Sequence, residues 1–531
     1  MMMTPGGTQI PVKIVGSSIF GRHPIISDER TWNLFISDEW LINFAGYNQA
    51  VDILPLLNEG RGLFHSTRGN FMLAVIAANV YRINSNLGFT FLFSLDSSTG
   101  EVFMDENLSS QIVIVDGTSI GYIYNYTTDT FGLIDYDFGA GGVSFIPNYV
   151  TYHNTYFIFG NAAQDPSGSN WFVYKTGFNP TSLADPLKLV WVQTLALQTK
   201  PDFAKAVIRI PSHGNNILVL GTTVGEIWAN VAGLQIYQRQ SSINLDYGVV
   251  SVSTIAASDD MVAWLGQNEK SSKSIMVMMG GRAERLSTDG IDYLLSRVIH
   301  PDKSTAMFYR QDGHVFYILS FIHADDNFSI MHDFTTSKFY DITDWDFTYH
   351  PARQMAFFNN EVYFVSLKQG SIMRLSSDIT SISTDLQNNY EIPRIRKTDT
   401  YRLPASERYI INQFGFTIEN GVEQDIDFQF ECDGHILGEM SGAIMYSEDD
   451  LPLLLEGGSC QIYRPRIDVN FSKNGGHTYG NSVPYFMHAT GQYKNQPRFN
   501  QLGEANQITC QMKFWGFGAV AIADGFYEVR Q

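Results

Sequence analysis

Along the first three quarters of the chain one arrangement of apolar and polar positions recurs: an apolar run, a short polar or glycine turn, then a second run centred on an aromatic residue or methionine. Seven copies can be counted, at 71–76 with 80–83, 111–115 with 121–126, 156–159 with 171–174, 217–220 with 226–228, 261–265 with 274–279, 315–321 with 328–331, and 362–365 with 371–375. Anchored on Tyr81, Tyr124, Tyr174, Trp228, Val277, Met331 and Met373, the copies lie 43, 50, 54, 49, 54 and 42 residues apart. Four strands of five or six residues with their connections take roughly 40–50 residues, so the spacing predicts an all-β fold, a β-propeller of about seven blades. A single blade cannot bury both of its faces, and neighbours must stack around an axis until the ring closes. Asp116-Gly117, Asp312-Gly313 and Asn474-Gly475 supply residues that tolerate positive φ, as hairpin turns require. Two readings compete with this one. Accidental spacing in a pair of β-sandwiches is the first; six or eight blades is the second, if one pair is miscounted or strands from residues 16–50 complete a further blade.

Helical periodicity is confined to 288–298, where Thr288 or Asp289 can cap a turn or two carrying Ile291, Leu294, Leu295 and Val298. Such a helix is expected to bridge two blades. Near 378–397 the alternation stops in a stretch rich in Ser, Thr, Asp, Gln and Asn, followed by Arg394-Ile395-Arg396-Lys397. This predicts a boundary, with a propeller domain over 1–385 and a C-terminal β-sandwich-like or barrel domain over 386–531. Within the second domain 409–418, 425–430, 461–471 and 507–515 alternate as strands do. The basic tetrapeptide is read as a solvated linker.

Composition sharpens the picture at three points. A chain of 531 residues exceeds what one core of roughly 250–300 residues holds, so two domains or a closed array are expected. Aromatics at 14% and charged residues at 17%, with 45 glycines, favour strands and turns over disorder. A net charge of −19 disfavours nonspecific binding of nucleic acid, whose phosphates demand concentrated basic side chains. The longest apolar run, near 71–78, falls well short of the ~18 residues of a membrane span, so no membrane insertion is expected. Met1-Met2-Met3-Thr4-Pro5-Gly6-Gly7-Thr8 has neither a basic nor an apolar leader region, which points away from a Sec-type signal and towards synthesis in a cytoplasm. Cys432, Cys460 and Cys510 lack CxxC spacing and are read as buried thiols, with a disulfide pair or a reactive site as the other possibility.

Catalytic patterns are scarce. There is no GxxxxGK[ST] and no GxSxG, and Gly139-Ala140-Gly141-Gly142 has no helix after it to hold a phosphate. His323-Ala324-Asp325-Asp326 with His332-Asp333 is the most metal-like segment, but Asp and Asn are wanted in a hairpin loop for turn hydrogen bonds, and the structural reading is preferred. Ser472-Lys473-Asn474-Gly475-Gly476-His477-Thr478-Tyr479 is similar to the Asp-box hairpin of sialidases, with Asn474 for Asp and Tyr479 for Trp, and occurs once. A sialidase would also need paired carboxylates and converging arginines, for which Arg61, Arg68, Arg82, Arg239 and Arg282 are candidates, although separate surface positions are preferred. No catalytic residue, cofactor or metal ligand is assigned.

Several segments, in order, resemble the packaged-DNA stabilisation proteins that form the tail hub or nozzle of short-tailed bacteriophages. They are Trp32-Asn33-Leu34-Phe35, Asn43-Phe44-Ala45-Gly46-Tyr47, Gly60-Arg61-Gly62-Leu63-Phe64, Arg68-Gly69-Asn70-Phe71, Asn79-Val80-Tyr81-Arg82, and Asp116-Gly117 with Gly121-Tyr122-Ile123-Tyr124. Gly225-Glu226-Ile227-Trp228, Tyr247-Gly248, Ala263-Trp264-Leu265-Gly266, Arg285-Leu286-Ser287-Thr288 and Asp312-Gly313-His314-Val315-Phe316-Tyr317 continue the likeness, which covers about 31–376. The resemblance implies a non-enzymatic virion protein of the tail, made in the bacterial host cytoplasm. It would act in a homo-oligomer of about six copies below the portal–adaptor ring, holding a tail needle or plug and presenting a surface for tailspikes or fibres, with DNA passing through the channel without specific binding. An acidic lumen would let the genome slide. The alternative is a carbohydrate-binding or sialidase-like propeller, suggested by the abundant Trp and Tyr and the Asp-box-like hairpin.

Overall fold

The computed structural model describes residues 8–21, 29–53, 58–134, 136–137, 145–163, 170–176, 189–211, 213–231, 233, 235–258, 260–384, 389–402, 408–419, 430–432, 460–462, 465–487 and 496–530. They divide into two compact units, one of Asn48–Thr335 and Tyr349–Ser376, the other of Met1–Tyr47, Thr336–Thr348 and Ser377–Gln531.

The larger unit is a β-propeller of seven antiparallel blades. Blade one runs Gly60–Ser66, Phe71–Ile76, Asn79–Ile83, Phe89–Ser94, and blade two Phe103–Glu106, Gln111–Val115, Gly121–Asn125, Thr130–Leu133. Blade three is built on Pro147–His153, Tyr156–Asn161, Asn170–Thr176 and Leu189–Ala196, and blade four on Ala206–Arg209, Asn216–Leu220, Gly225–Asn230 and Tyr237–Leu245. Met261–Gln267, Lys273–Met279 and Arg282–Arg285 belong to blade five, Ser304–Gln311, His314–Phe321 and Phe328–Asp333 to blade six, and Ala352–Phe358, Glu361–Ser366 and Ser371–Ser376 to blade seven. Each of the seven hairpins expected from the sequence is the middle of one blade. Gly46–Asp52, the strand that opens this unit, takes its place beside Ser371–Ser376, where Gln49 Nε2 donates to Ser371 Oγ at 3.1 Å. An N-terminal segment thus completes the last blade instead of adding an eighth.

Blade stacking explains why the second strand of each blade reads as an unbroken apolar run. Successive side chains of a strand point to opposite faces. Phe71, Leu73 and Val75 pack towards blade two, with Ile112, Ile114, Tyr122 and Tyr124. Met72, Ala74 and Ile76 pack towards blade seven, with Tyr363, Val365 and Ile372. The same division recurs in blade four, where Ile217 and Val219 face Trp171 and Val173 of blade three while Leu218 and Leu220 face Val262 and Trp264 of blade five. Each such buried side chain contributes about 1.5–3 kcal/mol. Turn chemistry follows the expectation, with Asp312 at φ 50° and Gly313 at φ 83° between the strands of blade six. The predicted helix spans Asp289–Ser296, between blades five and six in the chain; Thr288 Oγ1 accepts the Ile291 N–H, and Ile291 and Leu295 are buried.

The smaller unit is a two-sheet sandwich. In one sheet Ala521–Arg530 is flanked by Thr8–Val12, Trp40–Asn43 and Tyr409–Ile418, the last also pairing Arg498–Ala505. In the other, Gln507–Trp515 lies between Arg394–Lys397 and Arg466–Ser472, while Arg30–Trp32 pairs Arg394–Lys397. Leu34, Phe414, Tyr527 and Val529 from the first sheet and Ile467, Val469, Cys510 and Met512 from the second share one core. The compact units therefore do not follow the 385/386 boundary, because long-range strand pairing brings Met1–Tyr47 and Thr336–Thr348 into the C-terminal unit.

The reading of Arg394–Lys397 as a solvated linker is corrected: it is a strand in which Arg394 and Arg396 are buried. Of the expected strand 425–430, residues 425–429 lie outside those described, as do Met1–Gly7 of the chain start and Gly139–Gly142. Cys510 is buried with its thiol pushed well up by burial, whereas Cys432 and Cys460 sit opposite each other in register across a two-stranded ladder. Among the described residues no helix is long and apolar enough to cross a membrane.

Candidate functional site

The inner strands of the blades converge on the propeller axis, where a cavity of about 240 Å³ opens. Phe64 of blade one, Phe103 and Met104 of blade two, Tyr149 of blade three, Met307 of blade six and Gln354 of blade seven line it, with Glu101 from the strand-to-strand connection before blade two. Glu101 is the chemically distinctive group. One oxygen accepts from Gln354 Nε2 at 2.5 Å, and among the described residues Oε2 has no hydrogen-bond partner. Burial raises its pKa, against the lowering effects of Arg353 and of hydrogen bonds from Ser253 and Gln354.

Gln354 is held from three sides, since its Oε1 accepts the Leu63 N–H at 2.9 Å and its Nε2 also donates to Val102 O at 3.1 Å. Arg353 donates to Gly60 O and pairs with Glu59 at 2.5 Å. Asp105, whose pKa burial also raises, accepts the backbone N–H groups of Tyr152 at 2.7 Å and of Glu106 at 2.9 Å. These polar groups tie blade seven to blade one and blade two to blade three. The cavity is smaller than the roughly 300–1,000 Å³ usual for small-molecule sites, and the Gln354 amide that lines it is spent on bonds to Leu63, Glu101 and Val102. Sequence reasoning missed Glu101 and Gln354 because neither belongs to a motif: Glu101 precedes the strand Phe103–Glu106 and Gln354 lies within Ala352–Phe358, with no spacing to mark either.

The arginines considered for a converging site are dispersed in local roles. Arg61 is buried and donates to Gly100 O at 2.7 Å, Ala77 O at 2.9 Å and Ser97 O at 2.7 Å. Arg82 lies over the Phe71 ring at 4.3 Å, Arg68 bonds Leu108 O, Arg239 pairs with Glu226 at 3.5 Å, and Arg282 pairs with Glu284 at 3.2 Å on the surface.

Ser472–Tyr479 is a turn with its own hydrogen bonds, and Lys397 Nζ lies 5.9 Å from the centre of the Tyr479 ring. Ser472 Oγ accepts the Gly476 N–H at 2.9 Å, Asn474 Oδ1 accepts the Thr478 N–H at 3.0 Å, and Gly475 and Gly476 have φ of 72° and 85°. His332 and Asp333 are buried in a blade-six strand, where Asp333 Oδ2 lies 2.9 Å from His314 Nδ1. They do not meet His323 and Asp325. His300, from a segment 23 residues upstream of His323 in the chain, does.

A family model described as "Bacteriophage P22 Gp10, beta-propeller" matches residues 29–380. Similar solved structures include a streptogramin B lyase, at 10% identity and TM-score 0.38 over 64% of this chain and 99% of that one. The WD40 β-propeller domain of Doa1 is 11% identical with a TM-score of 0.38, covering 63% and 98%. A catalytically inactive virginiamycin B lyase from Staphylococcus aureus with quinupristin is 10% identical with a TM-score of 0.40, covering 62% and 99%. Among curated proteins none matches.

Proposed function

Because the chain belongs to the bacteriophage P22 Gp10 β-propeller family, and is thereby a phage structural protein and a virion component, we propose that it is a tail hub, or nozzle, subunit of a short-tailed phage. About six copies form a ring that extends the portal–adaptor channel, retains packaged DNA, and anchors the tail needle and the tailspikes or fibres until ejection. The extent of the family match carries this reading, since 29–380 takes in every blade.

Two physical features support it. Blades clamped to one another by apolar layers and by Arg353, Gln354 and Asp105 make a rigid wedge with loop-bearing faces, suited to contacts with unlike neighbours. A net charge of −19 suits a conduit from which the DNA backbone is repelled. The work is mechanical, not enzymatic.

Gel filtration with negative-stain imaging tests the proposal. Rings, or single chains that assemble into rings when a portal–adaptor complex is added, are the expected outcome, with no retention of DNA at physiological salt. A single chain that ignores the portal–adaptor complex and instead retains or cleaves glycans would replace this reading with the carbohydrate-directed one.

A further inference from the structure

We propose that His300, His323 and Asp325 form a binding site on blade six for one divalent ion of the zinc class. His300 comes from the connection between the helix Asp289–Ser296 and the strand Ser304–Gln311, and His323 and Asp325 come from the turn between His314–Phe321 and Phe328–Asp333. Both imidazoles are aimed at one atom. His300 Nε2 lies 3.6 Å and His323 Nδ1 3.4 Å from Asp325 Oδ2, and the three ligand atoms all fall within 4.8 Å of one another. A tetrahedral ion with bonds of about 2.0 Å sets its ligand atoms about 3.3 Å apart, so two of the three edges are nearly formed already.

The backbone holds this arrangement independently of the three side chains. Asp326, buried next to Asp325, accepts the Ile299 N–H at 2.9 Å and the His300 N–H at 2.6 Å, pinning the upstream segment to the turn. Ile322 N–H donates to Lys303 O and Asp326 N–H to His323 O, each at 3.0 Å, which closes the same small loop from both sides. His323 Nδ1 accepts a long 3.3 Å contact from the Asp325 N–H, which an ion bound at Nδ1 would displace. The rings of His300 and His323 sit 3.7 Å apart between centroids.

The donor set decides the class of ion. Two imidazoles with one carboxylate suit zinc, cobalt or nickel, whereas calcium and magnesium want oxygen ligands in greater number. Three protein ligands leave a position for water in the isolated chain. All three side chains are partly exposed, so an ion enters from solvent without opening the blade. Binding would cross-link the segment that precedes blade six to its central hairpin, adding metal-dependent stability to that blade.

Titration of the chelator-treated full chain with zinc chloride in a calorimeter is the test, alongside the visible spectrum of the cobalt-loaded protein. One ion per chain is expected, with the absorption of a low-symmetry four- or five-coordinate cobalt site and a zinc-dependent rise in Tm. H300A and H323A should each abolish the cobalt spectrum and weaken zinc by more than about tenfold, while H477A, in a turn of the smaller unit, changes nothing. Circular dichroism checks that the variants are folded, and the wild-type spectrum stands on its own if either is not. No stoichiometric zinc on the wild type, or zinc binding that survives H300A and H323A in folded protein, would overturn the site. Neither result bears on assembly into rings, so this proposal and the tail-hub reading fail separately.

Discussion

In blade one, Phe71–Ile76 meets its partner strand after a two-residue turn at Ala77 and Ala78; in the smaller unit, Thr8–Val12 finds its partner at the far end of the chain, with Thr8 opposite Val529. The two regions also differ in what they bury. Blade interfaces are mainly apolar, as in the layer of Phe71, Leu73, Val75, Ile112 and Tyr124, and the buried Arg61 donates to carbonyls within 39 residues of it in the chain. The sandwich encloses Arg394 and Arg396 among its strands. Arg394 donates to Gly516 O at 3.1 Å, Gly518 O at 3.0 Å and Thr380 O at 3.0 Å, and burial lowers its pKa to about 10. Arg396 donates to Ile14 O at 2.6 Å and Thr31 Oγ1 at 2.9 Å and pairs with Glu29. Where partners are close in sequence, apolar layers carry most of the pairing, with polar ties such as those of Arg61 added. Where they are hundreds of residues apart, a fork of directional donors selects the right carbonyls from many similar strands.

The largest effect that would break this comparison is expected from Arg396→Ala, which leaves the Glu29 carboxylate buried without its guanidinium. A loss of about 3–5 kcal/mol should appear in urea unfolding as an early transition that spares the propeller. Trp228→Ala is the counterpart in the blades, because it removes the edge-on contact with Trp171 at 5.4 Å between ring centroids and the indole hydrogen bond to Glu226 at 3.0 Å. Here about 3–5 kcal/mol should be lost from the propeller transition alone. If both variants shift one common transition, the two regions are not separately specified.

Acid should sharpen the contrast within the propeller. Burial lowers the pKa of His332 to about 4 and of His350 to about 3, from an ordinary 6.5. Below pH 6.5 the unfolded chain takes up protons that the folded chain refuses, so stability is full above that pH and falls as pH drops towards 4, by up to about 1.4 kcal/mol per pH unit for each imidazole. Chemical denaturation across that range should follow this slope, and His350→Gln should flatten it. The smallest effect is expected from Thr288→Ala, which removes the helix cap and should cost about 1 kcal/mol, seen as a small drop in Tm.

The same contrast explains what the sequence made legible. All seven blade hairpins, the Asp312-Gly313 turn and the helix capped by Thr288 depend on neighbours a few residues away, and periodicity reports such neighbours directly. Arg394–Lys397 reads as a linker because three basic positions around a single Ile395 carry no periodic signal, while the carbonyls that make its burial tolerable come from Ile14, Gly516 and Gly518. The axial Glu101 and the meeting of His300 with His323 and Asp325 were hidden for the same reason: their partners are set by ring geometry or by a backbone loop, not by spacing along one element. Conversely, the metal-like spacing of His323 and His332 is accidental, since a strand carries His332 into the blade interior.

Pairing between the first and last strands also has a consequence for biosynthesis. Ile14 and Val15 donate backbone N–H groups to Asp524 Oδ1 at 2.7 and 2.8 Å, so the sandwich is incomplete until residues around Asp524 have been synthesised. At elongation rates of about 5–20 residues per second the N-terminal strand waits on the order of half a minute to two minutes for its partner. A prematurely terminated polypeptide would carry finished blades but an unsatisfied N-terminal edge. Only a product that extends past Asp524 and its strand would have that edge paired.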